Sequence, residues 1–173
     1  LYKRLDRVVF ITKLNLTPEK KLELAEFMAI NVKPENRDYL YHHFKDNCAT
    51  RPRDLIDMAT DGQCSKQYKA ESGRMTLRGH VRRHAIWSIL DFGMSFAMSH
   101  EIDDPMSVWD EMFLPLELRK RALEFEYTEP NGVRRKLAAA VQHWNASKTI
   151  PEPAEQGSML WPIMMLWGLL AVL

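Results

Sequence analysis

The chain is poor in cysteine and nearly free of net charge. Two cysteines, Cys48 and Cys64, stand among 173 residues. They could pair, but two are too few for a disulfide framework. With 24 Lys and Arg against 23 Asp and Glu, the formal net charge of +1 leaves no electrostatic footprint for a nucleic-acid partner. The chain begins at Leu1, with neither an initiator Met nor a signal peptide. It therefore reads as a fragment whose N-terminal part, with an export signal, precedes Leu1. A zinc-protease pattern is missing too. His80 and His84 share a helix face, but no Glu follows His80 and no third ligand stands nearby. With Arg78, Arg82 and Arg83 interleaved, they read as a basic solvated face, and neither a metal nor another cofactor is called for. Hydrophobic content of 46% and charged content of 27% suit one folded domain with a tail. Nothing sets an oligomeric state.

What is present centres on Tyr39–Asp57. An aromatic, strand-like run with Tyr39, Tyr41 and Phe44 leads to a turn at Asp46-Asn47, and a helical pattern starts just after Cys48. Asn is a strong N-cap residue, because its side chain accepts from orphan amides of the first turn. With Asn47 as the cap, Cys48 is the first helical residue, and the positive end of the helix dipole favours its thiolate. That is where an enzyme needs a sulfur nucleophile. The plain alternative is a small buried hydrophobe. Pro52 would delete the hydrogen bond back to the Cys48 carbonyl. The first turn is then kinked, or the regular helix begins at Pro52 with Thr50 or Arg51 ahead of it. Arg51 and Arg53 either steady the site or bind a phosphate group, or they tie helix to sheet through an Arg–Asp pair with Asp54.

The flanking pattern mixes strands and helices, an α+β class. Residues 7–14 predict a strand. Thr17 caps a helix with Pro18 at its first position and Leu22, Leu24, Ala25, Met28 and Ala29 on its apolar face. Arg37–Phe44 predicts a strand. The helix after Cys48 runs to about Thr60 on Leu55, Ile56 and Ala59, and Asp61-Gly62 ends it. Residues 61–75 read as irregular, with Cys64 non-catalytic. Thr76 could cap a helix from Leu77 to about His100, with Gly93 a possible break. Asp104 can cap a short helix that lays Trp109, Met112 and Phe113 into the core. A helix follows over Leu116–Phe125, with basic Arg119, Lys120 and Arg121. Asn131-Gly132 between Glu124–Thr128 and Val133–Val141 is a hairpin signal. Ala138-Ala139-Ala140 leaves a helix open for the second arm.

Four ordered motifs carry a family resemblance. Asn47-Cys48-Ala49-Thr50-Arg51, continued by Arg53-Asp54, resembles the signature of the Lnb N-terminal periplasmic domain family. Leu14–Pro18 resembles its entry to a helix, and Thr76-Leu77-Arg78 its Thr-x-Arg element. Pro105–Pro115, with Ser107-Val108-Trp109 inside it, resembles its Ser-Val-Trp-Glu-Glu-Met-Phe-Leu-Pro run. The four span roughly residues 7–145. The family is similar to permuted papain-like (NlpC/P60-type) cysteine enzymes and includes bacterial lipoprotein N-acyltransferases. The resemblance implies acyl transfer with Cys48 as the nucleophile, and Asn47, Thr50, Arg51, Arg53, Arg78 and Trp109 binding substrate or supporting the site. In such permuted folds the base is a His in a Gly-His strand element ahead of the Cys. Nothing before Cys48 matches that element, and His42 and His43 are too close in sequence to replace it. His84 is a weaker stand-in.

Residues 146–158, with Pro151, Pro153 and Gly157, have linker composition. Residues 159–173 then carry no charge and include Trp161 and Trp167. Fifteen helical residues reach only about 22 Å, short of a full span, but the run continues to the last residue. It reads as the start of a transmembrane helix, with a final core helix as the alternative. The expected protein is a partial papain-like α+β domain over 1–145 in the periplasm, tethered to the bacterial cell membrane. Its expected activity is cysteine acyl transfer through a thioester, with phospholipid donor and lipoprotein acceptor as implied partners. The rivals are a cell-wall peptide amidase or peptidase, and a non-catalytic membrane-tethered interaction domain.

Overall fold

A computed structural model describes residues 5–6, 9–84, 99–145 and 167–171. They fall into two compact units. Residues 9–72 and 107–145 belong to the first, and 73–84, 99–106 and 167–171 to the second.

In the first unit β1 (Val9–Leu14) leads into α1 (Pro18–Asn31). The Thr17 hydroxyl accepts from the Lys20 amide at 3.3 Å and Pro18 stands in the first turn, as its sequence predicts. The expected apolar face of α1 is not buried. Leu24 alone of the five is partly covered, while Leu22, Phe27, Met28 and Ile30 are exposed. Helical spacing of apolar residues sets a stripe but not the neighbour that covers it.

Arg37–Phe44 does not form a strand. β1 takes β4 as its partner, and no strand among the described residues pairs with 39–41, so Leu40 is 93% exposed. The run instead closes on itself. His42 and Asp46 exchange backbone hydrogen bonds of 2.9 and 3.1 Å, and His42 Nδ1 accepts from the Phe44 and Lys45 amides.

Next comes α2 (Thr50–Ala59), one residue short of the expected end. Pro52 sits in its first turn, so the helix begins at Thr50 rather than at Cys48 or Pro52. Gly62, at φ +75°, turns the chain into α3 (Gln63–Tyr68), a conformation glycine adopts without Cβ strain. This helix replaces the irregular stretch expected over 61–75. The Asp57 carboxylate accepts from the Ser65 amide at 2.7 Å and satisfies its first turn.

The unit resumes at α5 (Val108–Glu111), after α4 (Leu77–His84) of the second unit. Its cap is Ser107 rather than Asp104, through a reciprocal pairing with Asp110. Then come α6 (Pro115–Glu124), β2 (Glu126–Thr128), β3 (Arg134–Lys136) and β4 (Ala138–Asn145). β2 and β3 form the hairpin that Asn131-Gly132 predicts, with Gly132 at φ +84°. Ala138–Ala140 is strand, not helix, because it pairs antiparallel with β1, Leu14 opposite Ala138 and Lys13 opposite Ala140. Leu137 is fully buried between the two ribbons. Its amide donates to the Phe125 carbonyl at 3.0 Å, and its own carbonyl accepts from Asn15 at 2.7 Å. The core gathers Leu16, Ala59, Cys64, Tyr68, Trp109 and Met112 with the Phe125–Tyr127–Leu137 wall. Trp109, Met112 and Phe113 are buried, as their spacing predicts, and Val108 is buried with them.

In the second unit the Thr76 hydroxyl accepts from the Gly79 amide at 3.3 Å, beside the start of α4 (Leu77–His84). The expected continuation over 85–98, with Gly93, lies outside the described residues. His100 belongs instead to a separate 3-10 turn, His100–Asp103, capped by Ser99. Residues 167–171 are helical and exposed. Among the described residues no helix is long and apolar enough to cross a membrane. The expected linker at 146–158 and the rest of 159–173 lie outside them. The fold class is α+β.

Candidate functional site

Asn47 holds the site together. It is buried, and its side chain makes four hydrogen bonds. Oδ1 accepts from the amides of Ala49 (2.8 Å) and Thr50 (2.9 Å). Nδ2 donates to the carbonyls of His43 (2.7 Å) and Phe113 (3.1 Å). The expected capping role is therefore present, but two residues earlier than a regular cap, so Cys48 lies in the turn ahead of α2 and not inside it. Thr50 locks the same turn. Its buried hydroxyl accepts from the Asn47 amide at 2.7 Å and donates to the Asn47 carbonyl. Phe44 packs edge-on against Phe113, ring centroids 5.4 Å apart, so the loop and the Trp109–Pro115 run are joined twice.

This clasp sorts the backbone donors around Cys48. The amides of Asn47, Ala49, Thr50 and Arg51 all have acceptors. Among the described residues the Cys48 amide has none. Of the amides from Asn47 to Arg51, that of Cys48 alone is left unclaimed for an oxyanion. The Cys48 side chain is exposed. It borders a cleft of about 490 Å³, walled by Phe10, Thr12 and Leu14 of β1, Ile56 of α2, and Pro115, Leu116, Leu118, Arg119 and Ala122 of α6. That volume lies in the ~300–1,000 Å³ range of small-molecule sites. The wall is apolar apart from Thr12 and Arg119.

The other residues expected at the site are held elsewhere. Arg51 pairs through two nitrogens with Asp46, at 2.8 and 3.1 Å, and its guanidinium lies 3.5 Å over the Tyr39 ring. It faces a different cleft, shared with Phe27, Asp54 and Met58. Arg53 is buried, bonds Asp54, donates to the Trp109 carbonyl at 3.1 Å and stacks 4.1 Å over the Trp109 ring. Arg51 thus pairs with the loop ahead of α2, and Arg53 with its neighbour Asp54 and with the Trp109 carbonyl of α5, so neither forms the helix-to-sheet tie that the sequence left open. Trp109 is a packing residue between Arg53 and Lys69. Arg78 belongs to the second unit, where it grips Asp103 through two bonds and donates to the Ser99 carbonyl. His84 Nδ1 lies 2.8 Å from the His80 carbonyl of its own helix. Among the described residues no imidazole hydrogen-bonds the Cys48 sulfur, and no cluster of His, Cys, Asp or Glu could hold a metal.

Cys64 is buried in the core. Burial first, and the nearby Asp57 carboxylate second, push its thiol up to about 12. The residue that sequence reasoning missed is Arg119. Its signal was an arginine inside the apolar stripe of α6, in step with Pro115, Leu118 and Ala122.

No curated protein and no solved structure matches the chain. The model of the Lnb N-terminal periplasmic domain matches residues 1–83. Three of the four motifs lie in that stretch, and the Pro105–Pro115 run lies beyond it. Residues 1–83, which carry the Asn47–Cys48 turn, belong to the Lnb N-terminal periplasmic domain family.

Proposed function

We propose that the protein is a membrane-associated cysteine acyltransferase of the periplasm. Its nucleophile is Cys48 and its acyl donor a lipid. The observation that carries this is the placement of an exposed cysteine, with its own amide unclaimed, at the border of an apolar cleft. The Cys48 thiolate attacks an ester carbonyl. The Cys48 amide faces the developing oxyanion, the alcohol leaves, and a thioester remains. An amine then takes the acyl group as an amide and the thiol is regenerated. A lipoprotein amine as acceptor follows from the resemblance, as does a histidine base ahead of the cysteine. The family's description as a periplasmic domain supports a periplasmic location. The uncharged run of residues 159–173 supports a membrane tether. An open apolar cleft favours a lipid over a cell-wall peptide.

A non-catalytic, membrane-tethered interaction domain is favoured by one observation, the lack of an imidazole bonded to the Cys48 sulfur among the described residues. Intact-mass analysis of the full natural protein, purified from its membrane, separates the two. The acyl-transfer reading expects a hydroxylamine-sensitive acyl adduct that vanishes in Cys48→Ala and persists in Cys64→Ala. No adduct in the wild type, with lipid and without acceptor, would favour the interaction domain.

A further inference from the structure

Arg119 is unlike the other described arginines of its unit. Arg37, Arg51, Arg53, Arg121, Arg134 and Arg135 each have a carboxylate partner, in Asp38, Asp46, Asp54, Glu124, Glu126 and Glu129. Among the described residues Arg119 has none. Its guanidinium instead lies 3.6 Å over the Phe10 ring, and its Nε is buried without an acceptor. It forms part of the wall of the cleft that Cys48 borders. A charged donor held in an apolar wall is unfavourable until an acceptor arrives. Stacking on an aromatic face fixes the guanidinium plane and leaves its edge free for an anion.

We propose that this cleft binds an anionic amphiphile, an acyl chain carrying a carboxylate or phosphate group, and that Arg119 receives the anion. The chain lies along Leu14, Ile56, Leu118 and Ala122. Phosphate and carboxylate share the planar, two-oxygen edge that a guanidinium bonds in parallel. The acid group belongs either to a free acyl chain or to a lipid headgroup. The proposal deepens the acyl-transfer reading by naming the substrate class. It rests on that reading's cleft, and binding does not require Cys48 to react.

The test is calorimetric binding to the full chain carrying Cys48→Ala, so that no covalent step contributes. Three ligands sharing one chain length are used below their micelle concentrations: dodecanoate, dodecyl phosphate and uncharged dodecyl maltoside. Arg119→Gln is expected to weaken one or both anionic ligands by about tenfold or more, the worth of a charge-assisted hydrogen bond. It should leave dodecyl maltoside unchanged. The anion that loses more identifies the source, carboxylate for a free acid and phosphate for a headgroup. Arg119→Lys should keep most of the anion preference, and Ala122→Trp, which fills the cleft, should abolish all three. The proposal is overturned if the Cys48→Ala parent binds none of them. Equal weakening of all three by Arg119→Gln, or no change in any, overturns it as well. If Arg119→Gln fails to fold, Arg119→Lys and Ala122→Trp decide. Loss of anion preference in the first, or unaltered binding in the second, is then fatal. A protein that binds the anions yet forms no acyl adduct would sink the nucleophile and keep the cleft.

Discussion

Cys48 and Cys64 stand at opposite ends of α2 and in opposite surroundings. Cys48 lies in a turn, exposed, beside an apolar cleft. Cys64 sits in the core against Tyr68 and Ala59, its thiol pushed up to about 12 by burial and by the Asp57 carboxylate. A thiolate is the reactive form, so residue type alone assigns neither role. What separates the two is the backbone around them. At Cys48, Asn47 folds the chain so that the side chain points outward. At Cys64, a six-residue helix carries the sulfur inward.

The largest expected effect tests the turn. Asn47→Ala removes four hydrogen bonds from a buried position and strands two amides and two carbonyls. We expect a loss of about 3 kcal/mol, read from the urea midpoint. Asn47→Asp keeps both acceptor bonds and should lose about half as much. Equal effects from the two would show that the Ala49 and Thr50 amides need no cap.

The second prediction sets the cysteines directly against each other. In the folded protein Cys48 should alkylate on the order of 100-fold faster than Cys64, because Cys64 reacts only after local opening. Peptide mapping after a short iodoacetamide pulse measures this. In denaturant the two rates should converge, and equal rates in the native state would refute the contrast.

The smallest effect is a pH dependence. The Cys64 thiol is raised from about 8.5 in the unfolded chain to about 12 in the fold, so the folded state binds more protons between those values. Stability is then fully present below pH ~8.5 and falls as pH rises towards ~12. The Cys64 contribution to that loss should be about 1.5–2 kcal/mol at pH 10. Burial also raises the neighbouring Tyr68, which steepens the same limb. Cys64→Ala should flatten the slope between pH 8.5 and 10, as measured by urea melts. An unchanged slope would remove Cys64 from that role.

Local chemistry was legible in the sequence. Thr17 and Pro18 start a helix wherever they fall before an apolar run, and Asn131-Gly132 turns a hairpin by its own backbone preference. Asn47 was readable as a cap for the same reason. What was not legible needed distant partners. Tyr39–Tyr41 has strand composition, but β1 is paired with β4, over a hundred residues away in sequence, and no edge is offered to it among the described residues. The α3 helix was hidden because Asp57, from the preceding helix, supplies its first acceptor. The cleft beside Cys48 draws its walls from β1, α2 and α6, three stretches that no sequence spacing brings together. In sequence Arg119 is one of three basic residues, and only the fold lays it over Phe10.

Pro52 sets a boundary condition on how α2 can grow. Helices fray and extend at their ends by single residues, each step gaining one backbone bond. Extension through Cys48 would require its carbonyl to meet an amide hydrogen four residues on, and proline has none there. The turn is therefore closed to helix propagation from the C-terminal side, whatever α2 gains in stability from its packing. Temperature, salt or a bound partner that lengthens helices elsewhere will not draw the sulfur into this one. In a protein evolving under selection for stability, that single ring decouples the reinforcement of α2 from the exposure of the thiol.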